Sequence, residues 1–186
     1  VPKIAAQTVA ENRELRRNAL IDAATRLIET RGSAKFSVAD IAAQVGLSRS
    51  AVYEYYRSSA DLVADVLVDE LLTWTDLIVS AVTAAPDAQS KMATWIRTNL
   101  EYAAGGRHAL VRAAGTVELP PTRRAQIGVL HQNLVAPLRD AVQASGQDQA
   151  VVSYIWGVTQ AAIDRIEAGA DPVTEAASAI AFCTRP

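Results

Sequence analysis

Cysteine and histidine are almost missing from this chain: one Cys, at 183, and two His, at 108 and 131, among 186 residues. A lone thiol closes no intramolecular disulfide, and two isolated imidazoles make no cluster at metal-ligand spacing. No metal and no cofactor are expected, and the expected setting is a reducing cytoplasm. Long apolar runs are lacking too. None approaches the roughly 20 residues that span a bilayer, and no charged start followed by an apolar stretch marks the N-terminus, so neither membrane nor secretion is expected. There is no His-Glu-x-x-His, no Gly-rich phosphate loop after a strand, no Ser elbow and no recognisable carboxylate pair, which leaves an enzyme nothing specific to stand on.

What the chain does have is apolar residue in quantity. Half of it is hydrophobic and a fifth is charged, the usage of a globular protein rather than a disordered one. The formal net charge of −2 conceals an asymmetry: residues 1–60 carry nine Lys/Arg against six Asp/Glu, and residues 61–186 carry nine against fourteen. A basic first third on an acidic remainder directs phosphate attraction to one end, because attraction follows the local field and not the chain average.

Periodicity is helical throughout, with no alternating strand pattern and no repeat. In residues 13–31, Leu20, Ala24, Leu27 and Ile28 share one face, and Gly32 supplies a helix stop. Ser37 stands three residues before Asp40 in a capping-box arrangement and opens a short helix that ends at Gly46. Ser48 caps a third helix to about 56, and Ser58 with Asp61 opens a long one over about 59–84. Pro86, the Gly105-Gly106 pair, Pro120-Pro121, Gly146, Gly169 and Pro172 punctuate five more, over about 86–104, 107–114, 121–144, 148–168 and 172–184. Pro137 is expected to kink or divide the helix that contains it. The fold class is all-α with about nine helices. The expected organisation is a flexible basic arm over 1–12, a small DNA-binding unit over 13–58, and a larger ligand-binding and dimerisation unit over 59–186.

Residues 37–56 have the spacing of a helix-turn-helix. Ala42 is small enough for two helices to cross closely, Gly46 can take a left-handed turn, and Leu47 and Val52 lock the second helix on the first. The outward face of the third helix then carries Arg49, Ser50, Ala51, Tyr53, Glu54 and Tyr55, donors and acceptors suited to a major groove. On direct-readout chemistry, Arg49 suits guanine O6 and N7 and Glu54 suits a cytosine amine. An ordinary helical corner would explain the glycine but not the set.

The stretch Phe36-Ser-Val-Ala-Asp-Ile-Ala-Ala-Gln-Val-Gly-Leu-Ser-Arg-Ser-Ala-Val-Tyr-Glu-Tyr-Tyr resembles the DNA-binding signature of the TetR family of bacterial regulators, with the Ile-Ala-x-x-x-Gly-Leu-Ser run as its most specific piece. The resemblance covers about residues 13–67. It implies a homodimer that binds a palindromic, double-stranded operator, with one reader per subunit, and that is released by a small-molecule effector of unknown identity. By the same resemblance Ser37 and Tyr55 hold phosphates, while Arg49, Ser50, Ala51 and Tyr53 face bases or the groove wall. Lys35, Ser48, Glu54, Arg57 and Ser59 complete the DNA-facing set. Where the family commonly has a Lys at the start of the fourth helix, this chain has Ser59, so a phosphate there would rest on backbone N–H groups with charge from Arg57. Lys3, Arg13, Arg16 and Arg17 make the arm and first turn basic.

In the C-terminal part, Trp74, Met92, Trp95, Asn99, Tyr102, Arg112, His131, Asn133, Trp156 and Gln160 stand among aliphatic helices as candidate lining for a mostly apolar cavity with few polar anchors. Aromatic residues at helical spacing also serve as plain core. The last two helices are rich in small residues, and Val151, Ile155, Gly157, Val158, Ala161, Ala162, Ala176 and Ile180 are the expected dimer face. Two other readings have the same N-terminus or the same helices: a DNA-binding regulator with no inducer, and a helical scaffold.

Overall fold

The computed structural model describes residues 9–184 and is helical from end to end, with no strand among them. The helices are α1 (Val9–Arg31), α2 (Val38–Val45), α3 (Arg49–Tyr53), α4 (Ser59–Thr83), α5 (Ala88–Ala104), α6 (Arg107–Gly115), α7 (Pro121–Ala144), α8 (Ala150–Glu167) and α9 (Pro172–Cys183). No described helix is long and apolar enough to cross a membrane. Lys3 lies outside the described residues, and residues 9–12 of the expected arm are the first turn of α1.

The boundaries follow from side chains that satisfy orphan backbone groups. Ser37 Oγ accepts from Asp40 N at 3.2 Å while the Asp40 carboxylate accepts from Ser37 N at 2.8 Å, the reciprocal pair of a capping box. Those bonds hold the Asp40 carboxyl below its ordinary range. Ser48, Ser58, Asp87 and Asp171 cap α3, α4, α5 and α9, each side chain accepting from the backbone N–H three residues on. Gly46 ends α2 at φ 67°, a left-handed turn that a side chain would strain.

The buried residues form one continuous cluster, with a small N-terminal part and a larger C-terminal part. In the first, Leu20, Ala24, Leu27 and Ile28 of α1 bury against Val38, Ile41 and Ala42 of α2 and Val52 of α3. In the second, α4 runs through the middle, flanked by α5, α6 and α7, with α8 and α9 packed on α5. Trp95, Ile96, Leu100, Leu134, Leu138 and Ile155 are its fully buried centre. Trp95 Nε1 donates to the Leu134 carbonyl at 2.9 Å and ties α5 to α7. Of the two outcomes expected at Pro137, division does not occur: α7 is continuous through it, with buried Leu134 and Leu138 holding both halves to the core.

Candidate nucleic-acid interface and sensor cavity

The outward face of the small unit gathers most of the residues expected at DNA. Lys35, Ser37, Ser48, Arg49, Ser50, Tyr53, Glu54 and Arg57 are exposed, with Ala51, Tyr55 and Ser59 half-buried beside them. Buried Val52 turns α3 so that Arg49, Ser50 and Tyr53 point away from α1 and α2. Ser48 Oγ accepts from Ala51 N at 3.1 Å and lies 2.9 Å from Ser50 Oγ, so both hydroxyls order the start of the reading helix. Ser37 Oγ also donates to Asp40 at 2.8 Å. Its cap comes first, and any phosphate contact is shared with it.

The first turns of α1 add charge to this face. The Arg13 guanidinium lies over the Tyr55 ring, 5.4 Å from its centroid, a cation–π contact that fixes the ring. Asn12, Arg13, Arg16, Glu54 and Tyr55 line one shallow cavity of about 410 Å³, so Glu54 stands among the α1 arginines beyond the end of α3. Arg17 differs from its neighbours, because its guanidinium turns inward to Asp65 at 2.7 Å. At the α4 start the Ser58 side chain accepts from Asp61 N, and Asp61 is itself acidic in the first turn, so exposed Arg57 carries the positive charge there.

Residues 20–66 match the sequence profile of the bacterial regulatory proteins of the tetR family. The similarity to that family lies in the helix-turn-helix segment and the helices that flank it. The matched residues run from α1 into α4 and include the helix-turn-helix, and a longer run of helices follows them. Among solved structures the fold is similar to that of the transcriptional regulator FadR from Bacillus subtilis in complex with stearoyl-CoA, with a TM-score of 0.73 and 17% identity over 89% of this chain and 96% of that one. It is equally similar to a tetR-family regulatory protein from Rhodococcus RHA1, with a TM-score of 0.73 and 19% identity over 91% of this chain and 95% of that one. FadR from Bacillus halodurans follows at 0.72 and 16% identity, over 90% and 94%. At these identities the likeness is one of fold. A search of curated protein sequences finds no match.

The C-terminal helices spread the expected cavity residues over several places. Trp74 and Tyr102 stack at 4.3 Å with planes 5° apart, and His108 meets Trp74 edge-on at 5.8 Å. Trp95 and Trp156 lie 6.0 Å apart around a separate part of the core, which also buries Met92 and Asn99. Asn99 Nδ2 is spent on the Trp95 carbonyl at 2.7 Å. His131 Nδ1 lies 3.2 Å from the Ile127 carbonyl, and Gln160 is half-buried on α8. Arg112, expected as an anchor, is exposed and pairs with Glu167, whose other oxygen is 2.9 Å from His108 Nδ1. Of the expected lining residues, Asn133 alone lies on the largest groove among the described residues. That groove, of about 680 Å³, lies between α4, α5 and α7 and is walled by Thr75, Val79, Val82, Lys91, Asn133, Ala136, Pro137 and Asp140, among others.

Two buried acids on α4 were invisible as site residues in the sequence. Asp65 accepts from Arg17, from Arg123 and from the Tyr56 hydroxyl at 2.9 Å. Burial pushes that hydroxyl up to about 12. Glu70 accepts from the Tyr102 hydroxyl and, in bidentate fashion, from Arg107 Nε at 2.6 Å and Nη2 at 2.5 Å. Burial and the Glu70 bond raise Tyr102, and the same carboxylate raises Arg107. The one buried side-chain polar atom left without a partner among the described residues is Trp74 Nε1, on the same helix.

On α8 and α9 the expected dimer residues divide. Ile155 and Ala162 face the subunit's own core, because α8 packs that side on α5. Gly157 and Ala161 are exposed, in line with exposed Tyr154. Val158 and Ala161 share a surface hollow with Phe182 of α9, which is 67% exposed. Ala176 and Ile180 are half-buried against α5, and Val151 is half-buried at the α8 start.

Proposed function

We propose that this chain is a ligand-released repressor that binds a palindromic operator as a homodimer. The observation that carries the reading is the α3 face: Arg49, Ser50 and Tyr53 held outward by buried Val52, with basic α1 residues alongside. Arg49 is the base reader, Tyr55 and Ser37 are phosphate contacts, and Glu54 acts with the α1 arginines as much as with bases. Phosphate contacts set register, and base contacts set specificity. Arg49→Ala is expected to cost about 1 to 3 kcal/mol at the cognate base and to relax preference there. Equal losses on operator and random DNA would remove Arg49 from base reading.

The effector site in this proposal is the groove between α4, α5 and α7. Its volume lies within the range of small-molecule sites, and its walls set Val79, Val82, Ala136, Pro137, Ala141 and Ala144 beside the polar groups of Thr75, Thr83, Lys91, Asn133 and Asp140. A ligand with an apolar body and a polar or anionic end fits those walls. The similar FadR structure, which holds stearoyl-CoA, supports an apolar-bodied ligand in a bundle of this kind. α4 is the lever, since it begins beside the reader and passes the groove. A ligand moves the equilibrium only by its differential affinity for the two spacings.

The dimer in this proposal forms on the exposed stripe of Tyr154, Gly157 and Ala161 with Phe182. Two readers so joined meet half-sites about 34 to 36 Å apart, and a small shift between them changes affinity.

A further inference from the structure

The reader and the bundle share one carboxylate. Asp65 is only 6% exposed on α4. Its Oδ2 accepts from two reader residues, Arg17 of α1 at 2.7 Å and Tyr56, just past α3, at 2.9 Å. Its Oδ1 accepts from Arg123, in the first turn of α7. A buried carboxylate with donors on both oxygens has one orientation that satisfies them all. The donors are themselves fixed. A second guanidinium nitrogen of Arg123 donates to Gln126 Oε1 at 2.9 Å, and Pro120-Pro121 leads the chain into α7 immediately before it. Tyr56 follows Tyr55, which Arg13 covers, and precedes exposed Arg57, so the hydroxyl that Asp65 holds belongs to the segment that faces DNA.

We infer that Arg123 is a positioning residue for DNA reading: from α7 it fixes, through Asp65, the pose of Tyr56 and Arg17 and therefore of the reader on the bundle. The same α7 forms one wall of the groove between α4, α5 and α7. Displacement of α7 withdraws one of two guanidinium groups from Asp65 and frees Oδ1, while Arg17 and Tyr56 stay on Oδ2. The reader then keeps its fold and loses its fixed angle. This rests on the reader binding DNA and needs neither the dimer nor the effector.

The neighbouring Arg124 supplies the control. It lies on the same turn, and its guanidinium donates to the Leu119 carbonyl at 3.1 Å instead of to Asp65. Arg123→Gln removes the tie and leaves Asp65 paired with Arg17 and Tyr56, so the chain folds. Spin labels placed at exposed Gln44 of α2 and Gln143 of α7, in a Cys183→Ser background diluted with unlabelled protein, read the reader-to-bundle distance within one chain. The expected result is a broadened distance distribution in R123Q, a narrow one in wild type and R124Q, and recovery toward the narrow one in R123K. Affinity for duplex DNA falls about tenfold in R123Q, inside the 5- to 150-fold span of ordinary coupling between sites, and is unchanged in R124Q. A distribution in R123Q identical to wild type, or equal broadening in R124Q, overturns the assignment, as does unchanged DNA affinity in R123Q.

Discussion

Removing the Glu70 carboxylate is the sharpest stability test of the bundle. Glu70→Ala leaves three donors without an acceptor, and they are not equally stranded. The Tyr102 hydroxyl belongs to a buried residue stacked on Trp74, so it cannot turn to water. Leaving such a group unpaired costs about 1 to 3 kcal/mol. The Arg107 side chain is 52% exposed and swings into solvent, so the pair it loses contributes no more than about 1 kcal/mol. The expected destabilisation is therefore about 1 to 4 kcal/mol, carried mostly by the tyrosine. Tyr102→Phe removes a donor from a carboxylate that keeps both Arg107 bonds, and costs about 1 kcal/mol. Arg107→Ala instead leaves a buried carboxylate with one neutral donor, which costs about 3 kcal/mol. Urea denaturation followed by circular dichroism measures all three, with an unchanged m-value as the check that midpoints report stability. The Glu70→Ala/Arg107→Ala double variant should be little worse than Glu70→Ala alone. A single-variant loss under about 1 kcal/mol, or additive effects in the double variant, would falsify the shared-carboxylate account.

Two further outcomes are expected. Tyr56 has its hydroxyl raised from 10.0 to about 12 in the folded chain, so the unfolded chain gives up the proton first; folded stability is full below about pH 10 and falls by up to about 2 kcal/mol as pH rises toward 12. Denaturation midpoints of wild type and Tyr56→Phe compared across pH 9 to 11.5 check this, and parallel curves would contradict it. Ala161→Glu, on the exposed stripe of α8, yields monomers with weak DNA binding; sedimentation velocity decides, and an intact dimer would move the interface elsewhere.

Much of the fold was legible because its boundaries are local chemistry. Ser37, Ser48 and Ser58 are caps that a sequence shows directly, and the observed helix limits fall within a few residues of them. The reader was legible for the same reason, since Gly46 and Val52 act within one turn of the residues they orient. The buried acids were not. Residues 62–68 of α4 are all buried, Asp65 included, and a helix buried on every side has no polar face to betray which acid is paired. The signal that existed was Asp65 and Glu70 inside an otherwise apolar run, with Arg17, Arg107 and Arg123 as partners far along the chain. The aromatic residues were ambiguous for a related reason: at helical spacing they pack on one another in the core, as Trp74 does with Tyr102, while the groove opens where Asn133, small residues and Pro137 line α7.

The central claim is that the α3 face reads a specific inverted repeat. Selection of bound duplexes from random DNA by the purified protein, at stated near-physiological salt, tests it most directly. The account predicts enrichment of a palindrome whose half-site centres lie about one helical turn or a multiple of it apart, with the enrichment lost in Arg49→Ala. Weak, salt-sensitive binding with no preferred sequence would contradict it.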